Sequence, residues 1–400
     1  MPSRRGVSLL LVWGSFYQQL AWAPVLVVLA TLAGDPGILA VAASAYSFAN
    51  MFGNLSFGVL ADRYGRYVVA GLGFVAMAAT TALHLAATTP ALLVVVRLLQ
   101  GLAAAAVAPA AFAALAEGIP PNRRAETMAR AGLFIALASM MAPPVTGVVE
   151  SRFGIATAVW TLAAGLLAIG VVSLAASKND PRQSGKDAGS AATGRQAPAH
   201  GVAGAGGDTG DAVFNPRLIA ASAVAGFSVM FAQNVLFYAF PIKGDVLGFK
   251  TSVIGALFSA FAVGAVIAFV PPISKLADRY GRKLPLVAGL VIASAGLAAL
   301  GVFSTIPAIA AGMLVYGLGF GMIFPAVSAL NADGASPARR GAAFGMLTAA
   351  FSLGAIVGPL LTQALSGALS PFVTAALLVL VTAGAVSPML VQESRARLAA

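Results

Sequence analysis

Arg97 is the residue whose chemistry is hardest to ignore, because it stands inside an apolar run, 91–115, with no acidic residue near it. A guanidinium inside hydrocarbon costs about 2.5–3.5 kcal/mol on insertion scales. At about 1.5 Å per residue it would lie about 9 Å below the outer end of a helix over that run, so three readings stand. It snorkels to the outer interface, it pairs with an anionic solute, or it couples a proton to solute movement. His84, near the outer end of the run 68–88, is the second titratable candidate, against the alternative of a packed or solvated imidazole. All 13 acidic residues fall in loops or at helix ends, none at mid-membrane depth. Proton handling would thus fall to Asp62, His84, or Arg97 with water.

A second group of charges lies where apolar runs end. Asp62 and Arg63 close one run; Gly65 follows, able to turn tightly or let backbone approach closely, and then Arg66. Basic residues retained at the cytoplasmic face explain Arg63 and Arg66 but neither the carboxylate nor the glycine. A membrane-embedded enzyme is a rival that the sequence does not support. With no cysteine, two isolated histidines (His84 and His200) and no intramembrane carboxylate, the chain lacks a plausible catalytic set, and no metal or cofactor is expected.

The elements that must hold these residues are membrane helices. The chain is 59% hydrophobic and 9% charged, with a mean hydropathy of +0.91, and a bilayer core needs roughly 20 apolar residues per crossing. Apolar runs bounded by turn signals predict twelve spans, 9–31, 37–60, 68–88, 91–115, 128–149 and 155–177, then 215–241, 252–273, 284–303, 306–330, 341–366 and 371–391. The expected fold class is all-α integral membrane. Arg4 and Arg5 before a run ending Ala21-Trp22-Ala23 imitate a signal peptide, but Pro24 follows, so span one is expected to be retained. With the N-terminus inside, 20 of the 24 Lys and Arg fall on the cytoplasmic side. Arg152, Lys243 and Lys250 fall outside and Arg97 within a span, so both termini are assigned to the cytoplasm of a bacterial-type inner membrane. The net charge of +11 therefore marks connectors, and no nucleic-acid partner is expected. Residues 178–213, rich in Gly, Ala, Ser and Pro, read as a flexible cytoplasmic linker between domains 1–177 and 214–400.

Those two domains repeat. An offset of 216 places Leu60-Ala61-Asp62-Arg63-Tyr64-Gly65-Arg66 on Leu276-Ala277-Asp278-Arg279-Tyr280-Gly281-Arg282. The same offset carries Gly101 to Gly317, Pro109 to Pro325, Pro121 to Pro337, Arg123-Arg124 to Arg339-Arg340 and Pro143 to Pro359. Similar basic loops alone would not preserve glycines and prolines inside helices. Two parallel six-helix repeats, related by an axis along the membrane normal, would.

Gly58-Val59-Leu60-Ala61-Asp62-Arg63-Tyr64-Gly65-Arg66 resembles the GxLADRxGR signature of the major facilitator superfamily, and its second copy departs only at Ser274. Arg97-Leu98-Leu99-Gln100-Gly101 resembles the family's RxxQG motif. Gly354-Ala355-Ile356-Val357-Gly358-Pro359, and more weakly Ala142-Pro143-Pro144-Val145-Thr146-Gly147, resemble its antiporter pattern, although small-residue packing explains such glycines in any helix bundle. The resemblance implies two six-helix bundles moving a small-molecule substrate by alternating access. It implies a cytoplasmic latch at Gly58, Asp62, Arg63, Gly65 and Arg66, with Asp62 meeting the positive end of helix eleven, mirrored by Asp278, Arg279, Gly281 and Arg282. It implies a coupling role for Arg97 and a cavity lined by spans one, four, seven and ten. There Tyr17, Gln18, Trp22, Arg97, Gln100, Gln233, Asn234 and Tyr238 form an aromatic wall with mostly uncharged polar groups, suited to an amphipathic solute. An exporter, with protons as candidate coupling ion, is the leading expectation; a metabolite importer or facilitator, its anion paired with Arg97, is the rival. The expected assembly is a monomer in lipid.

Overall fold

The computed structural model describes residues 10–11, 13–18, 35–117, 142, 145, 148–149, 152–177, 215–269, 283–335 and 340–399, with some side chains inside these ranges excepted. Trp22, Asp278, Arg279, Gly281 and Arg282, the segment 178–213 and most of the fifth span lie outside them, as do the side chain of Asp62 and the packing around Gly58.

Every described element is helical: α1 (Pro36–Tyr64), α2 (Arg66–Leu83), α3 (Pro90–Glu117), α4 (Ile155–Ser177), α5 (Pro216–Val246), α6 (Thr251–Phe269), α7 (Lys283–Val302), α8 (Ile306–Asp333), α9 (Arg340–Ala364) and α10 (Pro371–Ala399). These correspond to spans two, three, four, six, and seven to twelve. Among the described residues nine helices are long and apolar enough to cross a membrane. The chain divides into two compact units, Met1–Gly201 and Val202–Ala400.

Helix ends follow the local chemistry. Asp35 caps α1, accepting from the Gly37 N–H at 2.7 Å, and Asn215 caps α5 by accepting from Arg217 and Leu218. Proline opens both helices at a position where its missing N–H costs nothing. Several helices run past their expected ends, α5 and α10 the furthest. α5 continues through Pro241 to Val246, because Lys243 reaches out of its last turn to the carbonyl oxygens of Leu300 and Phe303 at the end of α7. A cation there also meets the negative end of the α7 dipole. α10 continues to Ala399 because nothing in Gln392–Ala399 breaks a helix.

Packing inside each unit repeats as the sequence does. In the first, α1 lies on α3, and α2 lies on α3 and α4; in the second, α6 lies on α8, and α7 lies on α8 and α10. α5 is held mainly against α9 and α10. The glycines of the sequence repeat sit at the tightest crossings. A Cβ on Gly101 would overlap the Tyr46 carbonyl of α1, and one on Gly317 would overlap the Phe261 carbonyl of α6. Gly354 and Gly358 of α9 serve the same end against the Phe227 and Phe231 carbonyls of α5. The antiporter-like pattern therefore has a packing role here.

Candidate functional site

The faces of α3 show how the chain sorts its residues. Leu92, Val95, Leu99 and Leu102 form an exposed stripe, while Leu93, Val96, Arg97, Gln100, Ala103 and Ala104 are buried. Hydrocarbon cannot satisfy a polar side chain, so in a membrane helix the polar residues turn inward and the leucines outward.

Arg97 is 0% exposed. Its Nε–H donates to the Ala42 carbonyl of α1 at 3.3 Å and its Nη1–H donates to Gln100 Oε1 at 2.6 Å. The guanidinium carbon lies 4.6 Å from the centroid of the Tyr46 ring, a cation–π distance. Snorkelling is thereby overturned: the guanidinium is spent on neighbours in α1 and on its own helix. Gln100, equally buried, hands the chain on to Thr81 Oγ1 of α2 at 3.5 Å. Gln18, 7% exposed, reaches the Tyr46 hydroxyl by its side chain.

His84 is packed rather than solvated. It starts the 3-10 turn His84–Ala86 that ends α2, is fully buried, and places Nδ1 2.7 Å from the Thr80 carbonyl oxygen. A carbonyl accepts only, so Nδ1 carries the proton and donates. The ring lies close enough to Arg97 for the two to interact electrostatically. Four of the predicted residues, Arg97, Gln100, Gln18 and His84, therefore belong to one buried neighbourhood. Tyr17 does not join them: its hydroxyl donates to the Thr161 carbonyl of α4, and its ring packs over Gly165.

In the second unit the predicted residues disperse. Asn234, the repeat mate of Gln18, donates back to the Met230 carbonyl of its own helix at 2.9 Å. Tyr238 donates to Gln363 Oε1 and so ties α5 to α9. Gln233 is buried, with Oε1 lacking a hydrogen-bond partner among the described residues. The same unit holds an aromatic series in which Phe261 stacks on Tyr316 at 5.5 Å and Phe320 on Phe324 at 6.0 Å.

At the end of α1, Gly65 adopts φ 96° and separates two helices by a single residue, a conformation that side-chain-bearing residues seldom adopt. The two arginines beside it part company. Arg63 is exposed, 5.5 Å from the Tyr64 ring centroid, whereas Arg66 is buried. A basic loop facing water describes only the first.

Tyr46, Thr81 and Gln363 were not legible as site residues. Tyr46 carries a faint signal, an aromatic hydroxyl in a helix of mostly small and apolar residues; the Ala42 carbonyl carries none. Among the described residues, no cluster of three or more His, Cys, Asp or Glu could hold a metal ion.

With a buried arginine braced across α1, α2 and α3, and helices crossing at glycines repeated in both halves, the relatives can be set beside the geometry. The Major Facilitator Superfamily model matches residues 8–250 and 222–398. The chain belongs to the major facilitator superfamily. This is a family of membrane transporters, not enzymes, and the protein is a multi-pass membrane protein of that type. Its fold resembles the human organic anion transporter MFSD10 with a TM-score of 0.64 over 96% of this chain and 100% of that one, at 18% identity. Curated relatives match shorter stretches. Multidrug resistance protein 3 of Bacillus subtilis is 33% identical over 26% of this chain and 21% of its own length. A triacylglyceride transporter of Mycobacterium tuberculosis is 37% identical over 24% and 19%. The matched stretch thus spans only about a fifth of either relative's length.

Proposed function

We propose that this protein is a secondary active transporter that exports small amphipathic organic solutes across a bacterial plasma membrane by alternating access, in exchange for protons. The observation that carries the reading is the chemistry buried within the spans. Apart from Arg97, and Arg66 at the first position of α2, the polar residues buried inside the described spans are amides, hydroxyls and one imidazole, in a chain whose spans also carry many aromatic rings that accept apolar shapes. The relatives named for multidrug resistance and for triacylglyceride transport support solutes of that character. In this reading Asp62 and its neighbours act as the cytoplasmic latch, with Asp278 as a weaker counterpart, and Arg97 couples exchange to proton movement with Asp62 and His84 as further candidates.

The test is transport by the purified full chain in liposomes. A fluorescent amphipathic dye should accumulate against its gradient when a pH gradient is imposed and stop when an ionophore collapses it. Asp62→Asn should slow accumulation more than Asp278→Asn. If no amphipath moves saturably while a small carboxylate exchanges freely without a pH gradient, the exporter reading fails in favour of a metabolite facilitator.

A further inference from the structure

Charge accounting around Arg97 does not close. Its guanidinium is wholly removed from solvent, yet the partners described for it are all neutral: the Ala42 carbonyl, the Gln100 amide and the Tyr46 ring. Nη2 has no hydrogen-bond partner among the described residues. The missing negative charge is not hidden elsewhere in the spans, because the sequence itself holds no Asp or Glu within 9–31, 37–60, 68–88, 91–115, 128–149 or 155–177 other than at their ends. His84 cannot supply it, since with Nδ1–H donated to Thr80 the imidazole is neutral at best. Buried charges in proteins are ordinarily paired.

A second orphan belongs to a residue that touches the same tyrosine. Gln18, over nine-tenths buried, is in contact with Tyr46, and its Oε1 has no hydrogen-bond partner among the described residues. A half-turn of that amide exchanges the oxygen for an N–H donor at the same place. Arg97 and Gln18 both touch Tyr46, and Arg97 Nη2 with the Gln18 amide supplies the donor set that a compact anion requires. We infer that Arg97, Tyr46 and Gln18 form a buried site for a monovalent anion, a halide or a carboxylate, which supplies the counter-charge that the spans lack. The site assumes nothing about the direction of transport or the exported solute, so it stands or falls apart from the exporter reading.

Binding is read on the full chain in nanodiscs, by thermal midpoint at constant ionic strength, replacing methanesulfonate with chloride, bromide, acetate or benzoate. The expected result is a saturable rise in the midpoint with at least one of these anions. Saturation by the halides assigns a free inorganic ion, and saturation by the carboxylates alone assigns the carboxylate of an organic solute. Arg97→Gln should abolish the effect. Gln18→Leu, which leaves the arginine in place, should weaken the apparent affinity by about tenfold; this variant carries the test if Arg97→Gln does not fold. A linear, non-saturating response to all four anions, or a response of Gln18→Leu equal to that of the parent, would overturn the site.

Discussion

Arginine and lysine would be interchangeable at position 97 if the residue only carried a charge to the interface. The observed geometry is different, because one planar fork donates from Nε to α1 and from Nη1 to Gln100 while its flat face covers Tyr46. An ammonium is a point charge on a flexible stem and cannot hold these three contacts together. Arg97→Lys should therefore insert and purify as a single species while concentrative transport falls by about tenfold or more. Transport assays on reconstituted variant and parent decide the matter, and undiminished accumulation by the lysine variant would remove Arg97 from the working parts. The motif around Arg97 pointed to this residue but could not name Tyr46, because a contact between residues 46 and 97 leaves no trace in local spacing.

Helices in lipid gain little from burying apolar surface against one another, so they depend on close fit. Gly101 lies one turn from Arg97 and lets α3 approach the Tyr46 backbone of α1; Gly317 does the same for α8 against Phe261 of α6. Adding one methyl at either place has to push backbone away, at a cost of about 1–3 kcal/mol typical of overpacking. Gly101→Ala and Gly317→Ala should both lower the thermal midpoint, whereas Gly367→Ala, with open space around it, should leave it unchanged. Equal midpoints for all three would show that the crossings are not limiting. Gly101→Ala should also impair transport more than Gly317→Ala, because only the first displaces a residue that touches Arg97.

Across the whole molecule the two halves share a frame and differ in content. The offset that repeats the glycines carries Arg97 to Met313 and Gln100 to Tyr316, both fully buried. Where the first unit holds a charged, hydrogen-bonded cluster, the second thus has a thioether and a ring stacked on Phe261. Such a pair of halves concentrates charge chemistry in one and apolar adaptability in the other. The proposed orientation can be checked with single cysteines on the cysteine-free chain. Gly37→Cys and Thr251→Cys should react with an impermeant reagent applied outside intact cells, and Ser190→Cys should react only after the membrane is opened. Outside labelling at position 190 would invert the assignment.

Membrane architecture was determined by the sequence almost by itself, because a bilayer imposes one solution. Apolar runs of fixed length must be helices, turn residues must mark where they leave, and a repeat preserving intramembrane glycines must describe two similar packings. That is why α4 begins and ends where hydropathy and turn signals place it, and why Gly65 is the joint between α1 and α2. The tertiary structure decided what side chains do once helices meet. It turned Arg97 inward instead of toward the interface, buried His84 and Arg66, sent Tyr17 to α4, folded Asn234 onto its own helix, and let Lys243 extend α5 by capping α7. Each outcome depends on which backbone carbonyl or ring a neighbouring helix presents at that height. Helix registry is a property of packing, and no pattern along a single strand of sequence records it.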